Sequence, residues 1–458
     1  MHVLLISTYD MGRQPFGLAS PAAWLAEAGA SVTCADLSRE RLPESVVADA
    51  SLVAFFLPMH TATRLAVPVI DRVRILNPRA QLAAYGLYAP LNAAMLRAHG
   101  VTHVLDGEFE QDLVNVAIKA GTGEARAPRD AGQGTLETPR TGSLARLAFR
   151  VPERNGLPPL ARYASLQMGG ERRTVGYSEA SRGCKHRCRH CPIVPVYDGR
   201  FRTVPVDVVL ADVRAQVAAG ARHITFGDPD FFNGIRHAEA VLAGLAREFP
   251  HVTYDVTIKI EHLLKHAGHL PLLRATGCAF VTSAVESIDE EVLAKLDKGH
   301  TRADFERVVA LFREADLVLA PTFLPFTPWT TVRSYLDLLQ AIDALDLVEH
   351  VSPVQLAVRL LIPQGSRMLE LPEVRAVTAP FDPASLTHPW TNADPAVDRL
   401  HAEVAKIVGV RLTASRRQVF SDVWAAAHRY ADPVVPRAQR NDVTPRAAIP
   451  YLNEPWYC

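Results

Sequence analysis

Three cysteines within eight residues are the sequence feature best suited to chemistry. Cys184, Cys188 and Cys191 follow a C-x3-C-x2-C pattern, and three thiolates on one loop can bind three irons of a [4Fe–4S] cluster, leaving the fourth iron open. A structural zinc ion is the alternative, with His186 or His190 as the fourth ligand that such a site needs. Three unrelated core thiols are a further alternative, so the spacing alone predicts a metal centre without choosing its metal.

The other three cysteines, Cys34, Cys278 and Cys458, lie far apart. A secreted domain held by disulfides would space its cysteines differently, so we expect reduced thiols and a cytoplasmic protein. The N-terminus has no signal-peptide pattern, and no apolar run approaches the roughly 20 residues of a membrane helix. With 49 basic and 49 acidic side chains, the composition gives no support to a nucleic-acid or membrane partner.

Alternating apolar strands and helices in residues 1–120 predict a doubly wound, Rossmann-like parallel sheet, which binds ligands at the carboxyl ends of its strands. Residues 121–170 are rich in Gly, Pro, Thr, Arg and Glu and are interpreted as a linker or a draped segment rather than a packed unit. The strand–helix alternation resumes in residues 171–375 with six βα units, which predicts a partial (βα)6 barrel. Residues 376–458 predict a small, mostly helical extension, including a helix that Asp394 caps.

The three cysteines and the sequence around them resemble the radical S-adenosylmethionine (SAM) superfamily, in particular its members with an N-terminal cobalamin-binding-like domain. The resemblance covers roughly residues 173–368 and starts from the Ser-Arg-Gly-Cys sequence that ends at Cys184. It implies a [4Fe–4S] cluster whose open iron binds the methionine end of SAM. Reduction then cleaves a carbon–sulfur bond and normally gives a 5′-deoxyadenosyl radical. His190, just before the third cysteine, is implied to lie near the adenine.

Further SAM contacts are implied where strands of the barrel end. The segment at Gly227 occupies the place of the family's Gly-Gly-Glu-like motif, with Asp228 or Asp230 as acceptor for the SAM ammonium group. A helix cap is the alternative role for these aspartates. Ser283 and Glu286 match a strand that ends in Glu-Ser and are implied to contact the ribose and methionine parts.

Three later positions complete the expected SAM site. Lys259 ends the third strand of the barrel and could pair with the SAM carboxylate, although a solvated lysine is the alternative. Arg359, on the predicted last strand, has the same two interpretations. Ile362 matches a position whose backbone often contacts adenine in the family.

The first domain resembles the cobalamin-binding fold that precedes many radical SAM domains. It lacks Asp-x-His-x-x-Gly, the motif whose histidine coordinates cobalt in other cobalamin enzymes. Loops with small residues after the strands would let the corrin approach the backbone. If cobalamin is bound, the implied reaction is methylation of an unactivated carbon or phosphorus atom; a domain kept for packing or for partner contacts is the alternative. The expected cobalamin contacts are Thr8, Leu57, Tyr85, Gly86, Gly107 and Glu108.

Cys458 ends a segment, Asn453-Glu-Pro-Trp-Tyr-Cys, that resembles radical SAM proteins with a Cys-Cys-Ala-Glu-Pro or Cys-selenocysteine-Ala-Glu-Pro tail. We expect a redox-active thiol here, and the native chain would continue through selenocysteine if the next codon is UGA. The alternative is an incidental exposed cysteine. The codon after Cys458 distinguishes the two interpretations.

Three functions follow from these patterns. The first is a radical SAM enzyme that modifies a small molecule or peptide, with cobalamin-assisted methylation as its chemistry. The second does without cobalamin and uses Cys458 in carbon–sulfur or carbon–heteroatom bond formation. The third is an iron–sulfur binding module without turnover. Either enzyme would need an electron donor such as flavodoxin or ferredoxin.

Overall fold

The computed structural model describes residues 1–122, 147–411, 414–431 and 449–453. They form an N-terminal α/β unit, a second α/β unit on a curled, mostly parallel sheet, and an extension dominated by helices. The α/β fold expected from the sequence, a Rossmann-like sheet followed by a partial barrel, is confirmed.

The N-terminal unit contains five strands, β1 (His2–Ser7), β2 (Ser31–Asp36), β3 (Leu52–Phe56), β4 (Gln81–Tyr85) and β5 (His103–Val104). All pairs are parallel, and the spatial order is β2-β1-β3-β4-β5. The helices of this unit are α1 (Phe16–Glu27), α2 (Glu44–Asp49), α3 (His60–Leu76), α4 (Tyr88–Leu91), α5 (Ala93–Ala98) and α6 (Glu110–Thr122).

The strands of this sheet are apolar because both faces are covered. Successive side chains of a strand point to opposite faces, and Leu4 and Leu5 accordingly belong to two separate hydrophobic clusters. The strand order reverses between β1 and β3, which opens a crevice at the carboxyl edge of the sheet. Thr8 and Leu57 are the first residues after these two strands, so they lie at that crevice.

Residues 147–170, expected to belong to a linker, pack against both units. The Arg154 guanidinium donates to Asp212 Oδ1 at 2.7 Å, to Gln14 Oε1 at 2.8 Å and to the Tyr177 carbonyl at 2.7 Å. Strand β6 (Ser165–Met168) also lies in this range and belongs to the second sheet. The described part of this segment therefore lies against both units.

The second unit is built on five parallel strands, β7 (Glu171–Ser178), β10 (His223–Phe226), β11 (Thr253–Thr257), β12 (Cys278–Glu286) and β13 (Leu319–Phe323). A short antiparallel ribbon of β8 (Ser181–Gly183) and β9 (Phe201–Thr203) follows β7. The predicted sixth strand is reduced to a 3-10 turn over Pro353–Leu356 and one parallel bridge between Arg359 and Phe326.

Helices cover the second sheet and form the extension. Around the sheet they are α7 (Val194–Tyr197), α8 (Val206–Ala218), α9 (Ile235–Glu248), α10 (Ile260–Lys265), α11 (Leu270–Ala275), α12 (Glu290–Leu296), α13 (Arg302–Glu314) and α14 (Val332–Ala344). In the extension they are α15 (Pro372–Val377), α16 (Pro395–Val410) and α17 (Arg416–His428). Asp394 caps α16 as expected, by accepting from Ala396 N. Among the described residues, no helix has the length and hydropathy to cross a membrane.

The last described strand, β14 (Tyr451–Leu452), pairs antiparallel with β6 at the edge of the second sheet. Because β6 is itself antiparallel to β7, β14 runs in the same direction as β7. Strand β14 therefore runs toward the sheet edge at which the cysteine loop begins.

Candidate active site

The cysteine loop begins at a glycine that no other residue can replace without strain. Gly183 ends β8 with a φ of +75°, which L side chains rarely adopt. A Cβ there would also lie 2.4 Å from the Arg200 carbonyl oxygen and 2.5 Å from the Tyr197 ring. Both features fix the direction in which the chain enters the loop.

Asp228 holds the chain just before this turn. Its carboxylate accepts from Ala180 N at 2.9 Å and from Ser181 Oγ at 2.5 Å, and the residue is only 2% exposed. Burial raises the pKa of Asp228 to about 7 despite these two hydrogen bonds. Both oxygens are engaged with the protein, so Asp228 positions the cysteine loop in this structure.

The three cysteines of the loop lie close enough to influence one another. Cys188 is buried, Cys184 and Cys191 are partly buried, and all three are free thiols. Burial raises the pKa of Cys184, and it raises the pKa of Cys191 to about 12. The negative charges of the neighbouring thiolates raise both pKa values further. Metal coordination deprotonates such thiols outright, so a cationic centre between them would relieve this cost.

The three sulfur atoms are not gathered as tightly as another set of potential ligands in the described part of the chain. There, one set of three His, Cys, Asp or Glu side chains has its ligand atoms all within 4.8 Å of one another, and the cysteines are not in it.

Glu286 lies beside the cysteine loop at the end of β12. Its φ is +66°, and the register between β12 and β13 shifts at this point; such strain of roughly 1–3 kcal/mol is typical of functional positions. Oε1 is 3.2 Å from His190 Nε2 and 3.4 Å from Lys298 Nζ. Burial opposes ionisation, but Lys298 and His190 lower the pKa of Glu286 to about 2. The carboxylate is therefore ionised at neutral pH.

A second polar group lies on the other side of the loop. Asp230 Oδ2 is 2.7 Å from His262 Nδ1 and 3.3 Å from His186 Nε2. Lys259 Nζ lies 3.0 Å from His186 Nδ1 and 3.3 Å from Glu261 Oε2. Asp230 and Lys259 thus contact protein side chains here, although the resemblance implied contacts to SAM for both.

Gly227 is required by the packing of β10 against β7. A Cβ at this position would lie 1.7 Å from the Tyr177 hydroxyl oxygen. Gly227 N also donates to the Ser178 carbonyl at 2.8 Å. The glycine therefore keeps the carboxyl ends of these two strands in close contact next to the cysteine loop.

Ser283 and Ile362 are both fully buried. Ser283 Oγ donates to the Ile258 carbonyl at 2.7 Å and so joins β12 to the residue after β11. The Ile362 carbonyl accepts from His388 N at 2.8 Å, and the Ile362 side chain packs in a cluster around Met368. Each thus makes a structural contact within the second unit, and the SAM contacts that the resemblance implied for them stay predictions.

Arg359 lies on the side of the extension. Its guanidinium donates to Asp398 Oδ1 and to the Trp390 carbonyl, both at 2.8 Å. It also stacks on the Trp390 ring at 3.7 Å from the centroid. These contacts hold α16 against the second unit, and the structure does not bring Arg359 into contact with the described residues of the cysteine loop.

The loops expected to contact cobalamin are internally bonded. Thr8 Oγ1 donates to the Ala62 carbonyl at 2.7 Å. Gly86 has a φ of +99°, and a Cβ there would lie 2.8 Å from the Leu57 carbonyl oxygen. Tyr85 is fully buried, and its hydroxyl donates to the Gly17 carbonyl at 2.8 Å.

Gly107 and Glu108 form the expected segment after β5, and Gly107 has a φ of +64°. Glu108 Oε2 accepts from Arg182 Nη1 at 3.0 Å, and Oε1 accepts from the Tyr197 hydroxyl at 3.3 Å. Glu108 is 2% exposed. Its carboxylate therefore binds the start of the cysteine loop, where a contact to cobalamin was expected.

The carboxyl edge of the N-terminal sheet faces the cysteine loop. Burial raises the pKa of Tyr88, and the charge of Cys191 acts in the same direction. Glu108, which follows β5, accepts from Arg182 at the start of the cysteine loop. His60, at the start of α3, lies 2.6 Å from the Ser385 carbonyl of the extension. The crevice of the first unit thus lies opposite the loop of the second.

Sequence reasoning assigned no role to Arg182, Lys298 or His262. Each is buried and carries a polar contact of the site. For Arg182 and His262 the signal in the sequence is a charged or titratable residue within a few positions of a predicted strand end, whereas Lys298 follows α12 and has no such signal. Cys458 lies outside the described residues.

Comparison with known families defines the class of the second unit. Residues 178–339 match the model of the Radical SAM superfamily. The chain therefore contains a radical SAM domain, which indicates an enzyme.

Two solved structures share the fold over most of the chain. TsrM from Kitasatospora setae, a radical SAM methyltransferase with tryptophan substrate and a SAM analogue bound, is 17% identical, covers 98% of this chain and 93% of its own, and has a TM-score of 0.64. OxsB, a cobalamin-dependent SAM radical enzyme with aqua-cobalamin bound, is 14% identical, covers 94% and 69%, and has a TM-score of 0.68.

Sequence relatives align over shorter regions. The ribosomal protein uS12 methylthiotransferase RimO of Geobacter sulfurreducens is 23% identical over 226 residues, which are 44% of this chain and 49% of that protein. A tRNA-2-methylthio-N(6)-dimethylallyladenosine synthase of Chlorobium limicola is 26% identical over 180 residues, 38% of each chain. The chain thus spans half or less of the length of these relatives.

Proposed function

We propose that the protein is a radical SAM enzyme that methylates a small molecule or peptide with the help of cobalamin. The observation that carries the proposal is the position of three cysteines on one loop between two carboxyl sheet edges. Glu286 and His190 border the loop on one side, and Glu108 of the N-terminal unit accepts from Arg182 at the start of the loop. Cys184, Cys188 and Cys191 would hold the cluster, which when bound and reduced supplies the electron that cleaves SAM.

The proposed SAM subsite uses side chains at the ends of β10 and β12. Asp228 and Asp230 contact the protein on the other side of the loop, and Glu286, which contacts His190 and Lys298 through Oε1, is the carboxylate that we assign to the methionine end or the ribose. Lys298 keeps Glu286 ionised, and His190 lies against the adenine. Gly227 keeps the ends of β10 and β7 in close contact beside this subsite, because the Tyr177 hydroxyl occupies the space that a Cβ would need.

The proposed cobalamin subsite is the crevice of the N-terminal sheet. Its loops begin at Thr8 and Leu57, and Gly86 allows the tight turn after β4. Cobalamin, when bound, would supply the methyl group. The support is the shared fold with TsrM and OxsB over most of the chain, together with a crevice that faces the cysteine loop.

Anaerobic reconstitution tests the SAM chemistry. Protein loaded with iron and sulfide, reduced by dithionite or by flavodoxin or ferredoxin as electron donor, is expected to release 5′-deoxyadenosine from SAM. With cobalamin and substrate it is also expected to release S-adenosylhomocysteine. The matched control replaces Cys184, Cys188 and Cys191 with alanine. A fully loaded, reduced cluster that leaves SAM intact would contradict the proposal and favour an iron–sulfur binding module.

Cobalamin binding has its own test. Protein purified in the presence of cobalamin is expected to retain one equivalent, which is measured by its visible spectrum. Gly86→Ala is the variant for this test, because the added methyl group strains the turn at the crevice. Gly156→Ala is its control, because Gly156 has a similar φ and no atom lies within 4 Å of its Cβ position. No retention by wild-type protein would remove the cobalamin step while leaving SAM cleavage in place.

A second candidate function uses Cys458 in carbon–sulfur or carbon–heteroatom bond formation without cobalamin. The observation that favours it is the direction of β14, which runs parallel to β7 and therefore toward the sheet edge at which the cysteine loop begins. Cys458→Ser is expected to abolish product formation while 5′-deoxyadenosine is still released. Unchanged product formation by this variant would exclude the tail from the chemistry.

A further inference from the structure

A group of three potential metal ligands lies next to the cysteine loop. Among the described residues, His186 Nε2, Asp230 Oδ2 and His262 Nδ1 all lie within 4.8 Å of one another. His186 belongs to the cysteine loop, Asp230 follows β10, and His262 lies on α10 after β11. Three different elements thus bring these atoms together at the carboxyl edge of the second sheet.

The three atoms approach one another without making hydrogen bonds. Asp230 Oδ2 is 2.7 Å from His262 Nδ1 and 3.3 Å from His186 Nε2, but neither contact has hydrogen-bond geometry, and all three atoms are buried without a partner. The two imidazole rings are 4.6 Å apart between centroids. Buried polar atoms are rarely left unpaired in native proteins, so such a set requires an explanation.

The geometry points to a mononuclear site for a divalent transition metal, which we propose in addition to the cluster, with His186, Asp230 and His262 as its ligands. Bonds of about 2.0–2.2 Å from a metal to nitrogen and oxygen place neighbouring ligand atoms about 3–3.5 Å apart, close to the separations seen here. Two histidines and one carboxylate suit zinc or iron(II). This site uses the Asp230 carboxylate that the resemblance assigned to SAM.

Three protein ligands leave at least one coordination position open. Zinc sites with three protein ligands bind water or substrate at the fourth position. Because His186 lies between Cys184 and Cys188, a donor atom bound to this metal would be held beside the cluster loop. The class of ligand that fits is a small molecule with an oxygen or nitrogen donor, such as a carboxylate.

Glu261 is the positioning residue of the proposed site. A histidine that binds a metal through one nitrogen donates its other N–H to a carboxylate, carbonyl or water. Glu261 Oε2 lies 3.5 Å from His186 Nδ1 and accepts from Lys259 Nζ at 3.3 Å. In the alternative state no metal is bound. Lys259 Nζ donates to His186 Nδ1 at 3.0 Å, so the proton of the His186 ring lies on Nε2.

Zinc binding to the intact, cluster-loaded protein distinguishes the proposed metal site from the metal-free state in which Lys259 donates to His186. Reconstituted protein is mixed anaerobically with one equivalent of Zn²⁺ and desalted, and zinc and iron are counted by mass spectrometry. One zinc per chain is expected beside a full complement of cluster iron. The zinc absorption edge is expected to show only nitrogen and oxygen neighbours at about 2.0–2.2 Å. A sulfur shell near about 2.3 Å, or no retained zinc, would overturn the proposal.

Variants assign the zinc to these ligands. Asp230→Asn and His262→Gln are expected to weaken zinc binding at least tenfold while the iron content is unchanged. The matched control is His266→Gln, because the ring of His266 is 5.8 Å from that of His262 but does not belong to the ligand set. Equal zinc binding by all of these proteins would contradict the proposal.

Glu261→Gln keeps the test decisive if the ligand variants fail to fold. Glu261 is largely exposed, with 45% of its side chain accessible, and its loss leaves all three ligands in place. We expect a 10- to 100-fold weaker zinc affinity, the usual effect of removing such a partner. Unchanged affinity would contradict the role of Glu261. Zinc counting does not depend on SAM cleavage, so its result stands apart from that of the proposed enzyme activity.

Discussion

Arg182 and Glu108 form a buried ion pair between the two α/β units, with 3.0 Å between Nη1 and Oε2. Arg182 stands two residues before Cys184, and it also pairs with Glu110 at 2.6 Å and with Glu179 at 2.9 Å. One guanidinium therefore links the cysteine loop to the carboxyl edge of the N-terminal sheet. The pair fixes the distance between the two edges that the proposed reaction brings together.

The loss of Arg182 is expected to be far more harmful than the loss of one carboxylate. Arg182→Met leaves two buried carboxylates and the partly exposed Glu179 without their cation, and removing one partner of a buried pair costs about 3–5 kcal/mol. Glu108→Gln leaves two carboxylates for the arginine, and burial already raises the pKa of Glu108, so we expect a loss smaller than that of Arg182→Met. Thermal unfolding midpoints of the anaerobic proteins measure this order.

Arg182→Lys is the matched control for this comparison. It keeps the charge but lacks the planar fork that contacts several carboxylates at once, so an intermediate midpoint is expected. Equal midpoints for Arg182→Met and Glu108→Gln would show that the ion pair does not hold the units together.

Features that depend on nearby residues could be predicted from the sequence. The apolar run of β1, the helix cap at Asp394 and the loop of three cysteines after β7 were each recognisable within about ten positions. Glu286 was also recognisable, because it follows an apolar strand at the edge where parallel strands place functional groups.

Features that depend on distant partners could not be predicted in the same way. Strand β6 has four residues and is stabilised by its ladder with β7, so its own pattern is too short to recognise. The contact of Arg182 with Glu108 joins residues 74 positions apart. His186, Asp230 and His262 converge only because three strands end at the same edge. The order of residues in the sequence does not show which of them lie close together in the folded chain.

Gly183→Ala is expected to reduce cluster assembly. The new methyl group would lie 2.4 Å from the Arg200 carbonyl oxygen at a φ of +75°, so the chain must shift just before Cys184. Gly220→Ala is the control, because Gly220 has a φ of +97° and no atom lies within 4 Å of its Cβ position. This variant therefore has only the backbone strain of about 1–2 kcal/mol. Iron and sulfide per chain after reconstitution measure the effect, and equal contents in both variants would contradict it.

Glu286→Gln is expected to slow SAM cleavage at subsaturating SAM by about 10- to 100-fold, since a hydrogen bond to a charged group contributes about 1.5–3 kcal/mol. The iron content should not change, because Glu286 contacts His190 and Lys298 rather than the cysteines. Glu291→Gln, on the exposed side of α12, is the control and should cleave SAM at the wild-type rate. Wild-type kinetics for Glu286→Gln would remove this residue from the SAM site.

His300 is expected to make the protein sensitive to mild acid. Burial and the charges of Lys298 and Lys259 lower the pKa of His300 to about 4, whereas an unfolded histidine titrates near about 6.5. The unfolded chain therefore binds the extra proton between these values, and stability falls by up to about 3 kcal/mol as the pH decreases from 6.5 to 4. Thermal midpoints of anaerobic wild-type protein should decrease more steeply over this range than those of His300→Gln. The exposed His251 supplies the control variant His251→Gln, which should follow the wild type, and parallel curves for all three proteins would contradict this assignment.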